Sequence, residues 1–244
     1  MGSTRAKWRA NQLAFYDGGT YETVLPLGNQ YLYDDFFGTA INTDIWNGIN
    51  TNEATCTATG SIVTAAMTAD VTAQDAGVVG LGLEWNTEHG LIFEARVAVA
   101  VAPTLDGEVM IGVQGEAYAS ASNQILNADE VASCYAAFGF YATLDAGLGC
   151  VIRTYDGATN SGIIDTATDV AVNIYHIYRI DFTDISSVKF YIDGVGVATG
   201  TTFDFSNGAN QMVIPVVVAE KTGADAALGS ILVDYVRMWQ TERN

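Results

Sequence analysis

The feature that most constrains this chain is a repeated alternation of short β-prone runs with Gly, Asn and Asp turns along nearly its whole length. In residues 91–101 (LIFEARVAVAV), Glu94 and Arg96 alternate with apolar neighbours, which is the period-two pattern of a strand with one buried face. Residues 175–182 (YHIYRIDF) alternate in the same way. The sequence therefore predicts an all-β protein.

Turn signals and one long apolar run indicate how the later strands are arranged. Asp193-Gly194 separates two β-prone runs, 188–192 and 195–198, and predicts a hairpin because both turn residues tolerate positive φ. Residues 212–219 are continuously apolar, as expected of a central strand buried on both faces. Residues 231–239 are predicted to form the last strand.

Two regions differ from this pattern. Residues 1–30 contain a predicted hairpin, 12–16 and 20–25, and a lone hairpin is marginal in water and needs a partner. Residues 117–128 are rich in Ala, Ser and Asn and predict a long loop, while 127–138 is the one segment that fits a helical turn or two. We therefore expect an N-terminal arm over 1–30 and one domain over 31–244.

Charge excludes several classes of partner. The chain of 244 residues carries 28 Asp and Glu against 10 Lys and Arg, a formal net charge of −18, which disfavours nucleic acid and anionic membranes. Arg5, Lys7 and Arg9 lie in the first ten residues, which hold no acid, so the remainder holds 7 basic and 28 acidic residues. No run of 18 apolar residues predicts a membrane span, and no signal peptide is expected.

Four segments occur in an order that resembles a known superfamily. They are 33–46 (YDDFFGTAINTDIW), 90–97 (GLIFEARV), 175–194 (YHIYRIDFTDISSVKFYIDG) and 233–240 (VDYVRMWQ). In this order they resemble the concanavalin A-like lectin/glucanase superfamily, especially family 16 glycoside hydrolases and laminin-G-like jelly rolls. The resemblance implies a two-sheet antiparallel jelly-roll sandwich, here preceded by an N-terminal hairpin or arm.

The resemblance also implies where a hydrolytic site would lie. Family 16 enzymes carry three acids on one strand, as E-x-D-x-x-E or E-x-D-x-E, and the corresponding strand here begins at Glu108. Met110 replaces the middle acid, Gly112 and Val113 replace the last, and Glu116 lies roughly 26 Å from Glu108 along an extended strand. A catalytic pair on this strand is excluded, and the sequence predicts that the chain is not an enzyme.

Aromatic residues and acids supply two further candidate sites. Four tyrosines are candidates for stacking on sugars, with strand packing as the alternative reading: Tyr118, Tyr135, Tyr141 and Tyr155. The resemblance implies one structural Ca²⁺, held by Asp35 (or Asp34) and Asp234 with backbone carbonyls, since calcium takes six to eight oxygen ligands. The alternative for Asp234 is an ion pair with Arg96 or Arg237. No other cofactor is expected.

The opening of the chain suggests a structural role. Residues 1–24 resemble the start of phage-encoded jelly-roll proteins, and a basic arm suits docking onto an acidic shell. We expect a homo-oligomeric virion component, folded in the host cytoplasm, that decorates a capsid or forms part of a fibre and binds the major capsid protein or other virion proteins. The predicted docking residues are Arg5, Lys7, Trp8, Arg9, Phe15 and Tyr16. The alternatives are a carbohydrate-binding module for host-surface glycans and a divergent glycan hydrolase.

Overall fold

The computed structural model describes a β-sandwich with a separate small sheet at the N-terminus. It describes residues 30–82, 85–115, 134–142, 147–207, 212–221, 223, 226 and 228–240, and the backbone of three strands before them. These three strands form an antiparallel sheet in the order β1-β2-β3: β1 Arg5–Arg9, β2 Gln12–Tyr16 and β3 Thr23–Val24. Pairing of β2 with β3 matches the predicted hairpin, whereas β1 was not expected from the sequence.

The first large sheet has eight antiparallel strands, in the order β17-β16-β15-β10-β19-β7-β6, with β4 also paired to β19. The strands are β4 Tyr31–Asp34, β6 Thr55–Thr59, β7 Ile62–Ala66, β10 Leu91–Val101, β15 Tyr175–Asp181, β16 Lys189–Ile192, β17 Val195–Val197 and β19 Ser230–Gln240. The predicted hairpin joins β16 to β17, and its turn has positive φ at Asp193 and Gly194 (52° and 78°).

The second large sheet also has eight antiparallel strands, in the order β14-β13-β12-β11-β18-β8-β5, with β9 also paired to β18. The strands are β5 Trp46–Asn50, β8 Gln74–Gly80, β9 Trp85–Asn86, β11 Glu108–Gln114, β12 Tyr135–Tyr141, β13 Gly149–Tyr155, β14 Ile164–Asp169 and β18 Met212–Lys221. The predicted central strand is β18, and both of its faces are buried.

Helix is nearly absent from the described residues, which contain one short 3₁₀ turn, Thr87–His89. The helical turn expected within 127–138 is wrong for its last residues, since β12 begins at Tyr135; the earlier ones lie outside the described residues. Paired backbone on both sides holds β12 extended. No described helix is long and apolar enough to span a membrane.

The main core lies between the two large sheets and is rich in aromatic side chains. Phe138 of the second sheet packs edge-on against Tyr178 and Phe190 of the first, with ring centroids 5.3 Å apart in both pairs. Trp46 and Trp85 are buried, as expected for packing residues. Trp239, by contrast, is only half-buried, and it belongs to the outer face of the first sheet. The fold is thus the predicted jelly-roll sandwich, with two outer faces on which a site can form.

Candidate functional site

A row of polar and aromatic side chains crosses the outer face of the first sheet. Tyr33, Arg237, Glu94, Arg179 and Tyr191 occupy directly paired positions on five neighbouring strands, β4, β19, β10, β15 and β16. Paired positions on one face bring side chains into contact. With about 4.8 Å between strands, the row is roughly 19 Å long.

Further aromatic rings flank this row and stack with its two guanidinium groups and with that of Arg96 beside it. The guanidinium carbons of Arg237 and Arg179 lie 5.1 Å and 5.7 Å from the Trp239 ring centroid, and that of Arg96 lies 4.5 Å from the Tyr175 centroid. These distances are those of cation–π contacts. We call the whole set the arginine–aromatic surface; it comprises Tyr31, Tyr33, Arg96, Tyr175, Arg179, Tyr191, Tyr235, Arg237 and Trp239.

A β-bulge in β19 shapes this surface. The register with β10 shifts between Arg96 and Val97, so the extra residue Asp234 and its neighbour Tyr235 both lie on the outer side, between inward-facing Val233 and Val236. Asp234 forms an ion pair with Arg96. The Tyr235 hydroxyl donates to Glu94 Oε1 at 2.7 Å. A regular strand would turn one of these two side chains inward.

Glu94 is the buried anion at the centre of the surface. Its Oε1 also lies 2.6 Å from Arg237 Nη2. Burial raises the pKa of Tyr235, and the hydrogen bond to Glu94 and its charge raise it further. Burial lowers the pKa of Arg237, but the bond to Glu94 and its charge outweigh this and raise it overall. Arg237 therefore stays charged and Tyr235 stays protonated at physiological pH.

The arginine–aromatic surface is accessible to a ligand. Tyr31 is 52% exposed and Tyr33 is 48% exposed, and the remaining members are half-buried. Half-buried aromatic rings next to cations present both apolar faces and hydrogen-bond donors. This combination suits ligands that carry both hydroxyl groups and C–H faces.

The outer face of the second sheet has the opposite character, since most of it is buried. Met110, Val216 and Val218 belong to a second apolar cluster that lies on this face, apart from the main core. All three have no accessible surface. This face therefore has the packing of a core.

Three acids lie side by side at one end of this buried face. Glu108 of β11 is directly opposite Glu220 of β18, which in turn is directly opposite Asp75 of β8. None of the three has accessible surface, and Asp75 Oδ2 accepts a hydrogen bond from Thr51 Oγ1 at 3.0 Å. We call these residues the acid row. The acid row joins strands that are far apart in sequence, so no motif along one strand reveals it.

The three-acid motif of family 16 enzymes is missing from the sequence of β11, and the structure leaves no room for a side chain at one of its positions, Gly112. Met110 and Gly112 share the outer face with Glu108. A Cβ at Gly112 would lie 2.2 Å from the carbonyl oxygen of Ala136, so no side chain fits there. Glu116 lies outside the described residues.

Three of the four predicted stacking tyrosines lie on the outer face of the second sheet. Tyr135 has no accessible surface, and a ring without accessible surface cannot stack on a sugar, so the structure does not offer Tyr135 for that role. Tyr141 and Tyr155 are half-buried against the same apolar cluster. The Tyr155 hydroxyl donates to the Gly157 carbonyl at 3.0 Å. Tyr118 lies outside the described residues.

The predicted calcium ligands make other interactions in the structure. Asp34 accepts from Trp46 Nε1 at 2.8 Å and from the Phe36 N–H at 2.7 Å, while Asp35 accepts from the Phe37 N–H at 3.2 Å. Asp234 pairs with Arg96, which is the alternative that the sequence left open. The described residues contain no group of three or more His, Cys, Asp or Glu placed to hold a metal ion. Calcium binding gains no support from this geometry and stays a prediction.

The predicted docking residues fall on the two N-terminal strands. Arg5, Lys7, Trp8 and Arg9 belong to β1, and Phe15 and Tyr16 belong to β2. Their side chains lie outside the described part of the chain. Docking through this arm therefore stays a prediction.

Cysteine offers no nucleophile on the described surface. Cys134 and Cys150 are buried, and Cys56 is half-buried, with its Sγ 3.1 Å from the Gly77 carbonyl oxygen. Burial raises the pKa of Cys56 to about 11. The thiol is therefore protonated at physiological pH, whereas the reactive form of cysteine is the thiolate.

Comparison of the sequence with models of protein families and with curated proteins gives no match. The solved structures give many matches. An endo-1,3-β-glucanase from Streptomyces sioyaensis is 14% identical, with a TM-score of 0.53 over 88% of this chain and 98% of that one. The Emp47p carbohydrate recognition domain is 10% identical, with a TM-score of 0.59 over 86% and 94%. A protein from work on endo-acting O-glycanases of human gut microbes that initiate mucin breakdown is 12% identical, with a TM-score of 0.58 over 85% and 97%.

These similarities correct two predictions. The prediction that the chain is not an enzyme is overturned, because glucanases and glycosyl hydrolase family proteins share its fold. It rested on one strand, and it missed the acid row across three. The similarities give no support to a virion structural role, and they fit the two alternatives, a carbohydrate-binding module and a glycan hydrolase, better. The chain has the concanavalin A-like jelly-roll fold.

Proposed function

We propose that this protein binds glycans through the arginine–aromatic surface. The observation that carries the proposal is the exposure of Tyr31 and Tyr33 beside half-buried Trp239 and three arginines on one sheet face. Clusters of exposed aromatic side chains commonly indicate a site where a ligand or a partner binds. The shared fold with a carbohydrate recognition domain supports the same class of ligand.

The chemistry of the surface suits a saccharide. Sugar rings have apolar C–H faces that pack on aromatic rings, and their hydroxyl groups accept hydrogen bonds from guanidinium N–H groups. The row from Tyr33 to Tyr191 crosses five strands and has a tyrosine ring at each end, with two guanidinium groups on either side of the buried Glu94 between them. An extended oligosaccharide fits such a row better than a single sugar does.

A glycan array followed by titration calorimetry tests this proposal. We expect Trp239→Ala and Tyr33→Ala to weaken binding of any glycan that the wild type retains by about 10- to 100-fold, the range for a central aromatic contact. Tyr155→Ala is the matched control, because Tyr155 lies on the other sheet. No retained glycan, or a loss with Tyr155→Ala and none with Trp239→Ala, would contradict the proposal.

Hydrolysis of a glycan is the second candidate function, and it has its own observation. Glu108 and Glu220 are directly opposite on neighbouring strands, where Cβ atoms lie about 4.5–5.5 Å apart. Retaining glycosidases need two carboxyl groups about 5–5.5 Å apart, one as nucleophile and one as acid and base, and two glutamates on neighbouring Cβ atoms can bring their carboxyl groups to that separation. Both side chains are buried in the structure, so catalysis requires this face to open to a substrate.

Release of reducing sugars from β-1,3-glucan and from mucin O-glycans tests this second candidate. If it is correct, Glu108→Gln and Glu220→Gln each lower the rate by roughly 10²–10⁴-fold, the contribution of a positioned acid or base. Trp239→Ala keeps the chemical step intact and serves as the control. Activity that survives both acid substitutions would place the chemistry elsewhere, and absence of any activity would leave binding as the function.

A further inference from the structure

The basic residues of the folded body are concentrated on one face. Six Lys and Arg occur among the described residues after residue 30, and Arg153 and Lys221 are buried. The other four, Arg96, Arg179, Lys189 and Arg237, all lie on the outer face of the first sheet. In a chain with a net charge of −18, this is the one described face where accessible cations collect.

Each arginine of the arginine–aromatic surface covers a less exposed acid. The side chain of Arg237 is 38% exposed and that of its partner Glu94 is 6% exposed. For Arg179 and Asp181 the fractions are 36% and 13%. For Arg96 and Asp234 they are 40% and 29%. The three pairs are neutral in sum, and in each of them the more exposed side chain is the cation.

The guanidinium groups keep donors for a second partner. Each ion pair engages one terminal nitrogen, Nη2 in Arg179 and Arg237 and Nη1 in Arg96. Nε of Arg179 and Arg237 is buried, so the donors left for a ligand are the N–H groups of the terminal nitrogens. Stacking on Trp239 fixes the planes of Arg179 and Arg237, which reduces the entropy lost on binding. A planar, pre-positioned fork matches a carboxylate better than it matches a hydroxyl group.

We propose that the glycan bound by the arginine–aromatic surface is acidic, an oligosaccharide whose sugars carry carboxylate groups. This inference rests on the proposed function and names its ligand class. Arg179 and Arg237 bind the carboxylates, while Trp239 and the tyrosines bind the sugar faces. The net negative charge of the chain does not prevent this binding, because at physiological salt charges more than about 8 Å from the bound carboxylates are largely screened.

The test uses the full chain and two probes that differ only in charge: an oligogalacturonate and the same oligosaccharide with its carboxylates methyl-esterified. We expect the acid to bind at least ~10-fold more tightly, with affinity that falls as salt rises. Arg179→Gln should remove most of this preference, because it weakens binding of the acid far more than binding of the ester. Lys189→Gln is the matched control, because Lys189 lies on the same face but stacks on none of the described rings and donates to Ser187 Oγ.

The outcomes separate this inference from the function on which it rests. Equal binding of the acid and the ester would overturn the inference that the ligand is acidic, but not the proposal that the protein binds glycans. If neither probe binds and the glycan array retains nothing, both the inference and the proposed function are overturned. A further outcome is that the protein binds no glycan and self-associates in a way that added salt reverses. That result would overturn the acidic glycan, because it would show that this face binds the acidic surface of a second copy of the chain. A loss with Lys189→Gln as large as that with Arg179→Gln would overturn recognition by the guanidinium fork. Unchanged melting temperatures show that the variants fold.

Discussion

The outer faces of the two large sheets share their strand geometry but differ in exposure. On the first sheet, Tyr31 and Tyr33 are about half exposed and arginines lie above their acid partners. On the second, Met110 and Val218 are fully buried and the acid row has no accessible surface. An antiparallel sheet commonly leaves one face to water, and here only one of the two sheets does so among the described residues.

The arrangement of acidic and basic residues also differs between the two faces. On the accessible face, acids and bases alternate across strands, so Arg237 and Arg179 flank Glu94. On the buried face, the three acids Asp75, Glu108 and Glu220 are direct neighbours across strands. Buried acids in adjacent positions are unusual in a sheet, and such clusters occur at functional sites as well as in structural networks. The accessible face thus favours binding, and the buried face is where chemistry remains to be tested.

The largest effect is expected from Met110→Ala, which tests whether the outer face of the second sheet is a second core. Loss of a fully buried side chain of this size costs about 2–5 kcal/mol of unfolding free energy, because it leaves a cavity. Urea unfolding measures it. A loss below about 1 kcal/mol would mean that this face is open in solution, and the contrast between the faces would fail.

Glu94→Ala should give the next largest effect and tests the buried anion of the accessible face. It removes the acceptor of Arg237 and Tyr235, at a cost of about 1.5–3 kcal/mol, since both donors lose a charged partner. The pKa of the Tyr235 phenol should fall, because two of the three causes that raise it come from Glu94. Alkaline titration of tyrosinate absorbance, compared with that of the wild type, measures this. An unchanged titration would contradict the assigned hydrogen bond.

The sequence predicted local features well and non-local ones poorly. Alternation around Glu94 and Arg96 correctly indicated a strand with one polar face, and the apolar run of β18 correctly indicated burial on both faces. The Asp193-Gly194 turn was also correct. These features depend on residues a few positions apart, so a single sequence contains them.

The candidate sites depend on register between distant strands. The pairing of Glu108 with Glu220 and the arrangement of Arg237, Glu94 and Arg179 follow from which strands are neighbours. The bulge at Asp234 reverses the expected orientation of one residue. A search for acids along β11 alone therefore could not reveal the acid row. Clustering of the few basic residues on predicted outward positions was the available signal for the accessible face.

Asp193→Asn should have a smaller effect that depends on pH. The Asp193 carboxylate accepts from the Ile177 N–H at 2.9 Å and lies 2.7 Å from His176 Nδ1. Burial raises its pKa, but the Ile177 bond and His176 outweigh this, so the pKa is lowered below its ordinary 3.8. A carboxyl group whose pKa is lower in the folded state stabilises the fold at pH values above its pKa in the unfolded state. This contribution is lost as the pH falls through the pKa of the folded state.

We therefore expect Asp193→Asn to cost roughly 0.5–1 kcal/mol near neutral pH, a small value because the side chain is largely exposed. The difference should shrink at acidic pH, below 3.8. Asparagine also tolerates the positive φ of 52° at this turn, so backbone strain does not add to the effect. Thermal unfolding of both proteins across pH measures it. A difference that is constant with pH would show that the carboxylate charge contributes nothing.

The smallest effect on stability is expected from Tyr31→Ala, and it sharpens the contrast with Met110→Ala most directly. Tyr31 lies opposite Trp239 and is 52% exposed, so it buries little surface when the chain folds. Its truncation should therefore change the unfolding free energy by no more than about 0.5 kcal/mol. Glycan affinity should nevertheless fall several-fold, since the ring contributes contact area to a bound sugar. Urea unfolding and calorimetry on the same preparation separate the two quantities. If the unfolding free energy falls and the glycan affinity does not, the Tyr31 ring contributes to folding only, and this result would contradict a binding site at the arginine–aromatic surface.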